Sequence, residues 1–117
     1  MLNERDRFVL GRIIKYCDEI KLTITMFDDT LETLETNVVY KNAVSMCVLQ
    51  IGELITHLSK EFLAANTRVP WASIKRMRNI AAHHYGKFSI KILHGTITES
   101  VPELREYCQK LLCRSES

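Results

Sequence analysis

Glycine and proline, which make tight turns, are scarce in this sequence: it has four glycines and two prolines among 117 residues. This scarcity disfavours a β-sandwich and favours helices. No apolar run approaches the ~20 residues that span a bilayer. The first residues, MLNERDRF, are charged and lack the apolar core of a signal peptide. We therefore expect a helical protein of the cytoplasm with no membrane association.

The cysteines show no metal-binding pattern. The four cysteines are Cys17, Cys47, Cys108 and Cys113, so no Cys-x-x-Cys pair exists and the spacings match no zinc motif. Free, buried thiols in a reducing compartment are predicted.

The composition is that of a folded chain. Hydrophobic residues make up 46% and charged residues 26% of the sequence, which excludes a disordered protein. A chain of this length buries one continuous core. We predict a single domain over residues 1–117.

Acidic residues are missing from one part of the chain. Residues 68–94 contain six Lys or Arg and no Asp or Glu, whereas residues 1–67 contain seven Lys or Arg and ten Asp or Glu. Three of the four histidines also lie in the basic segment. Such a distribution is typical of a surface that binds a polyanion, although a solvated basic helix face would have the same composition.

Apolar residues recur every three or four positions through most of the chain, as in amphipathic helices. Asn3 is a suitable N-cap for the first helix, which should end at the polar residues 28–30. A second, long helix is predicted over about residues 31–65.

Two further helices are predicted after residue 65. The third begins at Pro70 and runs to about residue 83 or 84, with Gly86 as a stop signal. Ser89 is suited to cap the fourth, which Pro102 should kink or split. The prediction is an all-α, up-and-down four-helix bundle, with a fifth short helix if Pro102 splits the last one.

The stretch RMRNIAAHHYG, residues 76–86, covers the end of the predicted third helix and the residues that follow it. At about 100° per residue, Arg78 and Tyr85 lie about 20° apart, Asn79 and His83 share another face, and Arg78 and His83 lie about 140° apart. One ideal helix therefore cannot aim all four groups at one phosphate. Either the helix ends near His83, or two copies of the chain each supply part of a site. The side predicted to be buried consists of Trp71, Ile74, Met77 and Ala81.

These side chains suit RNA cleavage by internal transesterification. A histidine that titrates near neutrality can remove the proton of the 2′-hydroxyl as it attacks phosphorus. An arginine fork can stabilise the charge on the non-bridging oxygens of the transition state. No metal or other cofactor is required.

The stretch also resembles a known family. The pattern Arg78-x4-His83-x-Tyr85, in which x is any residue, resembles the signature of HEPN-domain ribonucleases. The wider sequence resembles the HepT-type toxins among them. NAVSMCVLQIGEL (42–54), VPWASIKRMRNIAAHHYG (69–86) and SVPELREYCQKLL (100–112) carry this likeness.

The resemblance implies a helical bundle that forms a homodimer, alone or within a larger toxin–antitoxin complex, with the motif helices meeting at the interface. It implies a metal-independent endoribonuclease that acts on cellular RNA as the toxin of a type VII toxin–antitoxin system in a prokaryote. The partner would be a MntA-type minimal nucleotidyltransferase antitoxin that silences the toxin by attaching AMP to Tyr85.

The residues are assigned roles on this basis. Arg78 binds the scissile phosphate, His83 is the general base or acid, Asn79 orients them, and Tyr85 contacts RNA and receives AMP. His84 either assists His83 or is passive. The residues expected to guide RNA are Lys75, Arg76 and Lys87.

Alternative interpretations remain open at this stage. The same patch could belong to a non-catalytic helical module that binds a nucleotide or a nucleotidyltransferase partner. Glu53 and His57, four residues apart on the predicted long helix, could in principle hold a metal. Pairing of Glu53 with Arg78 or Arg76 is favoured over that metal site, and His57 is expected at the surface.

Overall fold

The computed structural model describes residues 2–69, 71, 72, 74–76, 78 and 89–116. Within these residues the regular structure is helical and no strand occurs, which confirms the predicted all-α class. Residues 71, 72, 74–76 and 78 are helical as well. The helices are α1 (Glu4–Met26), α2 (Leu31–Thr36), α3 (Val38–Ile55), α4 (Lys60–Ala65), α5 (Ile90–Gly95) and α6 (Val101–Glu116), with a π-helical turn (Thr96–Ser100) between the last two.

Helix α1 begins where the sequence predicts. The side chain of Asn3 accepts a hydrogen bond from the backbone N–H of Asp6 at 2.7 Å, and so caps the first turn. The buried face of α1 forms the centre of the core. It contains Val9, Leu10, Ile13, Cys17 and Ile20.

The single long helix predicted over about residues 31–65 is wrong, because the structure has three helices there. Asn37 forms the junction between α2 and α3. Its side chain accepts a hydrogen bond from the N–H of Tyr40 at 3.0 Å and so caps the start of α3. Ser59 starts α4 by accepting from the N–H of Phe62 at 3.1 Å. Asn and Ser compete with helical hydrogen bonding in this way, so they favour helix starts over helix interiors.

Helix α3 runs antiparallel to α1. The carboxylate of Asp6, near the start of α1, accepts from the N–H and hydroxyl of Ser59 at 2.8 and 2.7 Å, just beyond the end of α3. At the other end, the rings of Phe27 and Tyr40 stack with centroids 4.9 Å apart. Helix α6 packs on α1 as well, with Arg105 Nε 2.6 Å from Asp18 Oδ1.

Among the described residues, one helix, α3, is long and apolar enough to cross a membrane by length and composition alone. It has 18 residues and a mean hydropathy of 1.3. Core helices of bundles share this composition. Tyr40, Val44 and Ile51 are buried, and α3 packs against α1 in the core.

The C-terminal segment departs from a regular helix just before Pro102, as predicted. Ser89 caps α5, accepting from the N–H of Ile92 at 3.4 Å. In the following π turn the N–H of Val101 donates to the carbonyl of Thr96, five residues back. Proline has no N–H to donate and its ring clashes with the carbonyl four residues earlier, which accounts for a wider turn at this point.

The described part of the predicted third helix packs as expected. Trp71 and Ile74 are both buried, and the indole N–H of Trp71 donates to the carbonyl of Asn66 at 2.7 Å. The Trp71 ring also contacts Phe62 and Tyr107, with centroids 5.8 and 6.5 Å away. The predictions for Pro70, Met77, Ala81 and the end of this helix fall outside the described residues.

Candidate functional site

Arg78, the first residue of the predicted motif, lies against α3. Its Nη1 is 3.4 Å from Oε2 of Glu53, so the structure selects Arg78 over Arg76 as the partner of Glu53 among the two predicted alternatives. The Arg78 side chain is 27% exposed and that of Glu53 is 52% exposed. At such exposure the ion pair contributes about 0–1 kcal/mol to folding, so its main effect is on the orientation of the guanidinium.

Gly52 brings the two helices into close contact at this point. A Cβ built on Gly52 would overlap Cβ of Arg78 and lie 3.0 and 3.3 Å from its Cγ and Cδ. Any larger residue at position 52 would therefore push the Arg78 helix away from α3. Sequence reasoning missed this role, although a glycine inside a helical pattern is a signal of close packing.

The Nε of Arg78 is buried and has no hydrogen-bond partner within the described residues. Glu53 is the one described side chain that pairs with the guanidinium, and it contacts Nη1. An arginine has five N–H donors, so Arg78 keeps donor capacity for an anion after pairing with Glu53.

The other described cations of the basic segment face solvent. Arg68, Lys75, Arg76 and Lys91 are exposed. Exposed lysines and arginines attract a polyanion over a distance without fixing the reacting atoms. This placement suits the guiding role predicted for Lys75 and Arg76.

The remaining motif residues fall outside the described residues: Asn79, His83, His84, Tyr85 and Lys87. Their roles and the two solutions to the helix geometry stay predictions.

The suggested Glu53–His57 metal pair is wrong as a helical pair, because α3 ends at Ile55. His57 lies beyond that end and is exposed, as expected of a surface histidine, with Nδ1 3.4 Å from Nη2 of Arg5. Within the described ranges, no group of three or more His, Cys, Asp or Glu side chains is placed to hold a metal ion.

Three of the four cysteines are buried, as predicted, and the prediction fails for Cys113, which is exposed near the end of α6. All four thiols are free. Burial raises the pKa of Cys17 and Cys108 to about 12 and that of Cys47 to about 11. Buried thiols with such pKa values are poor nucleophiles, so they serve the core.

This arrangement defines the class of protein: a helical bundle in which Arg78 contacts the apolar helix α3 and the other described cations of the basic segment are exposed. The family described as ribonuclease HepT-like matches residues 13–111, which is most of the chain. The chain belongs to the HepT-like family of HEPN proteins.

Several curated proteins are similar to this chain. A protein of Caldanaerobacter subterraneus subsp. tengcongensis named as a candidate RNase is 36% identical over 53% of this chain and 55% of its own length. A candidate ribonuclease HepT of Thermococcus cleftensis is 30% identical over 52% of this chain and 56% of its own length. A candidate RNase of Methanocaldococcus jannaschii is 29% identical over 65% of this chain and 60% of its own length.

The chain thus spans somewhat more than half the length of the curated relatives it matches. No solved structure matches it significantly.

Proposed function

We propose that this chain is a metal-independent endoribonuclease and the toxin of a type VII toxin–antitoxin system in the prokaryotic cytoplasm. The observation that carries the proposal is the placement of Arg78. It is held against α3, it has donors without a partner among the described residues, and it stands first in the ribonuclease motif of a family to which the chain belongs. Its relatives are named as ribonucleases.

In the proposed reaction the 2′-hydroxyl of one nucleotide attacks the adjacent phosphorus. His83 removes the hydroxyl proton, a bond forms between the 2′-oxygen and phosphorus, and the bond to the 5′-oxygen breaks. The leaving 5′-oxygen takes up a proton, and a 2′,3′-cyclic phosphate remains. General acid–base catalysis of this kind contributes roughly 10²–10⁴-fold.

Arg78 stabilises the negative charge that develops on the non-bridging oxygens during this step. Asn79 orients Arg78 and His83, and His84 lies beside them in the sequence. Tyr85 contacts the RNA, while Lys75, Arg76 and Lys87 guide the strand to the site through its phosphates.

We further propose a homodimer with α3 in its interface. Val39, Met46 and Glu53 are seven residues apart, so they lie on one face of α3 within about 20° per step. Val39 and Met46 are 63% and 57% exposed, and Glu53 contacts Arg78. A second copy covering this face would shield apolar surface and bring two Arg78 side chains towards one cleft.

The proposed partner is a MntA-type nucleotidyltransferase antitoxin that transfers AMP to Tyr85. The added group is bulky and carries negative charge. It would therefore occupy the position of an RNA phosphate and repel the phosphate electrostatically. The toxin would then be inactive for as long as Tyr85 carries AMP.

The first test is cleavage of total cellular RNA by the purified protein with EDTA present. Wild-type protein should cleave, whereas Arg78→Ala and His83→Ala should each reduce the rate by roughly 10²-fold or more. Lys75→Ala is the matched control, because the loss of an exposed guiding lysine should weaken RNA binding and leave the maximal rate intact.

A mass measurement must accompany this assay, since protein made beside its antitoxin would arrive with AMP on Tyr85. Inert protein that carries no AMP would refute the ribonuclease proposal. It would favour the non-catalytic module that binds a nucleotide or a nucleotidyltransferase.

A further inference from the structure

We propose that Gly52 and Glu53 of α3 are positioning residues for Arg78, with Gly52 setting the depth of the side chain and Glu53 its direction. This inference rests on the proposed ribonuclease function, because it concerns how the phosphate-binding arginine is held. Neither residue is required to touch RNA.

The steric part of the inference comes from Gly52. The three atoms nearest to a Cβ at this position are Cβ, Cγ and Cδ of Arg78. The Cβ of Arg78 is fixed by its own backbone, so a rotamer change cannot relieve the overlap and the helix itself must shift. Gly11 and Gly95 have no atom within 4 Å of such a Cβ, so Gly52 differs from the other helical glycines in the described ranges.

The electrostatic part comes from Glu53. Its carboxylate lies 3.4 Å from Nη1 of Arg78, and both side chains are partly exposed. The contact with one end of the guanidinium restricts rotation about the last side-chain bonds. The other donors are then presented in a fixed direction, which lowers the entropy lost when a phosphate binds.

Activity provides the first arm of the test. A displacement of about 1 Å at a catalytic group costs roughly 10²-fold, so Gly52→Ala should lower kcat by that order while KM changes by less than about 3-fold. Gly11→Ala and Gly95→Ala are matched controls with the same chemical change in open space, and both should keep the wild-type kcat and KM. A wild-type kcat in Gly52→Ala would overturn the inference.

A stability cycle provides the second arm and needs no ribonuclease activity. Gly52→Ala should lower the urea midpoint of unfolding in the wild-type background. It should have no such effect in an Arg78→Gly background, where the overlapping atoms are absent. An equal loss of stability in both backgrounds would overturn the steric part. If Gly52→Ala alone is unfolded, the comparison of the double variant with Arg78→Gly still measures the effect of the added Cβ.

Glu53 is tested by rescue with a conservative variant. Glu53→Gln keeps a side chain of the same shape with an oxygen beside Nη1, so it should retain kcat within about 3-fold, whereas Glu53→Ala should lose about 10-fold. Equal activity of Glu53→Ala and wild type would overturn the electrostatic part. Failure of AMP-free wild-type protein to cleave RNA would instead refute the proposed function, while the stability cycle would still decide the steric contact.

Discussion

At the scale of single residues, two buried polar groups differ in whether they have hydrogen-bond partners among the described residues. Asp6 is only 3% exposed, and both of its carboxylate oxygens accept hydrogen bonds from Ser59. The hydroxyl of Tyr40 is buried and has no partner within the described part of the chain. A buried polar group without a partner costs about 1–3 kcal/mol, so the Tyr40 hydroxyl lowers stability while Asp6 ties α1 to the start of α4.

Replacing Tyr40 by Phe should therefore raise the free energy of unfolding, by about 1 kcal/mol. The ring that stacks on Phe27 is retained, and only the unpaired hydroxyl is lost. Urea denaturation of the variant beside wild type measures the difference.

Asp6→Asn is the opposing control. It weakens a satisfied pair of hydrogen bonds, so it should lower the free energy of unfolding by about 1–3 kcal/mol. A loss of stability in Tyr40→Phe would show that its hydroxyl has a partner in the native protein.

The thiols should differ in reactivity. At about pH 8 a disulfide reagent should label Cys113 rapidly in native protein, because it is exposed, and the other three cysteines slowly. Rapid labelling of more than one thiol per chain would contradict the buried placement of Cys17, Cys47 and Cys108.

The same pKa shifts determine how stability depends on pH. An unfolded thiol ionises near its ordinary pKa of 9.0, whereas burial raises the pKa of Cys17 and Cys108 to about 12. Their contribution to stability is thus fully present below about pH 9 and is lost as the pH rises towards 12. Stability measured by urea denaturation should fall over that alkaline range.

At the scale of elements, short polar side chains decide where helices begin. Asn3, Thr30, Asn37, Ser59 and Ser89 each accept a hydrogen bond from a backbone N–H in the first turn of the helix that follows. Asn37 also ends α2, so one residue separates α2 from α3. Without such a residue, the apolar periodicity would continue through the junction as one helix.

Substitution of Asn37 by Ala should lower the free energy of unfolding by about 0.5–2 kcal/mol, as measured by urea denaturation. The reason is the loss of the 3.0 Å hydrogen bond from the N–H of Tyr40. Asn37→Asp retains an acceptor oxygen and should be close to wild type. Equal loss in the Ala and Asp variants would mean that capping is not the function of this side chain.

At the scale of the whole molecule, exposed apolar side chains on α3 distinguish one face of the bundle. Val39 and Met46 lie on the same side of α3 as Glu53, the partner of Arg78. Exposed apolar patches of this kind commonly mark interaction surfaces. The proposed homodimer places this face in the interface, so assembly and activity should be lost together.

Met46→Glu should convert the protein to a monomer, because a charge would be buried without a partner at the interface. Light scattering at micromolar concentration measures the mass, and RNA cleavage should fall in parallel. Ile92→Glu is the control, since Ile92 is also half exposed but lies on α5. A wild-type mass for Met46→Glu, or a monomeric wild type, would contradict an interface on α3.

The candidate site was predictable in part. Residue spacing along the chain singled out Arg78 and the acid-free segment, and the placement of Glu53 beside Arg78 was among the predicted pairings. The closeness of Gly52 to Arg78 was missed, since their contact joins residues far apart in the chain and depends on how two helices approach each other.

What the sequence by itself determined is the helical class, the caps at Asn3 and Ser89, and the burial of Trp71 and Ile74. These features depend on residues within one or two turns of each other, where periodicity and capping act. Only the tertiary structure decided that Asp6 fixes Ser59 at the start of α4, that Cys113 stays exposed and that Arg78 packs directly against Gly52. Those outcomes depend on packing between distant segments, in which a junction such as Ser59 is held by Asp6 from another helix.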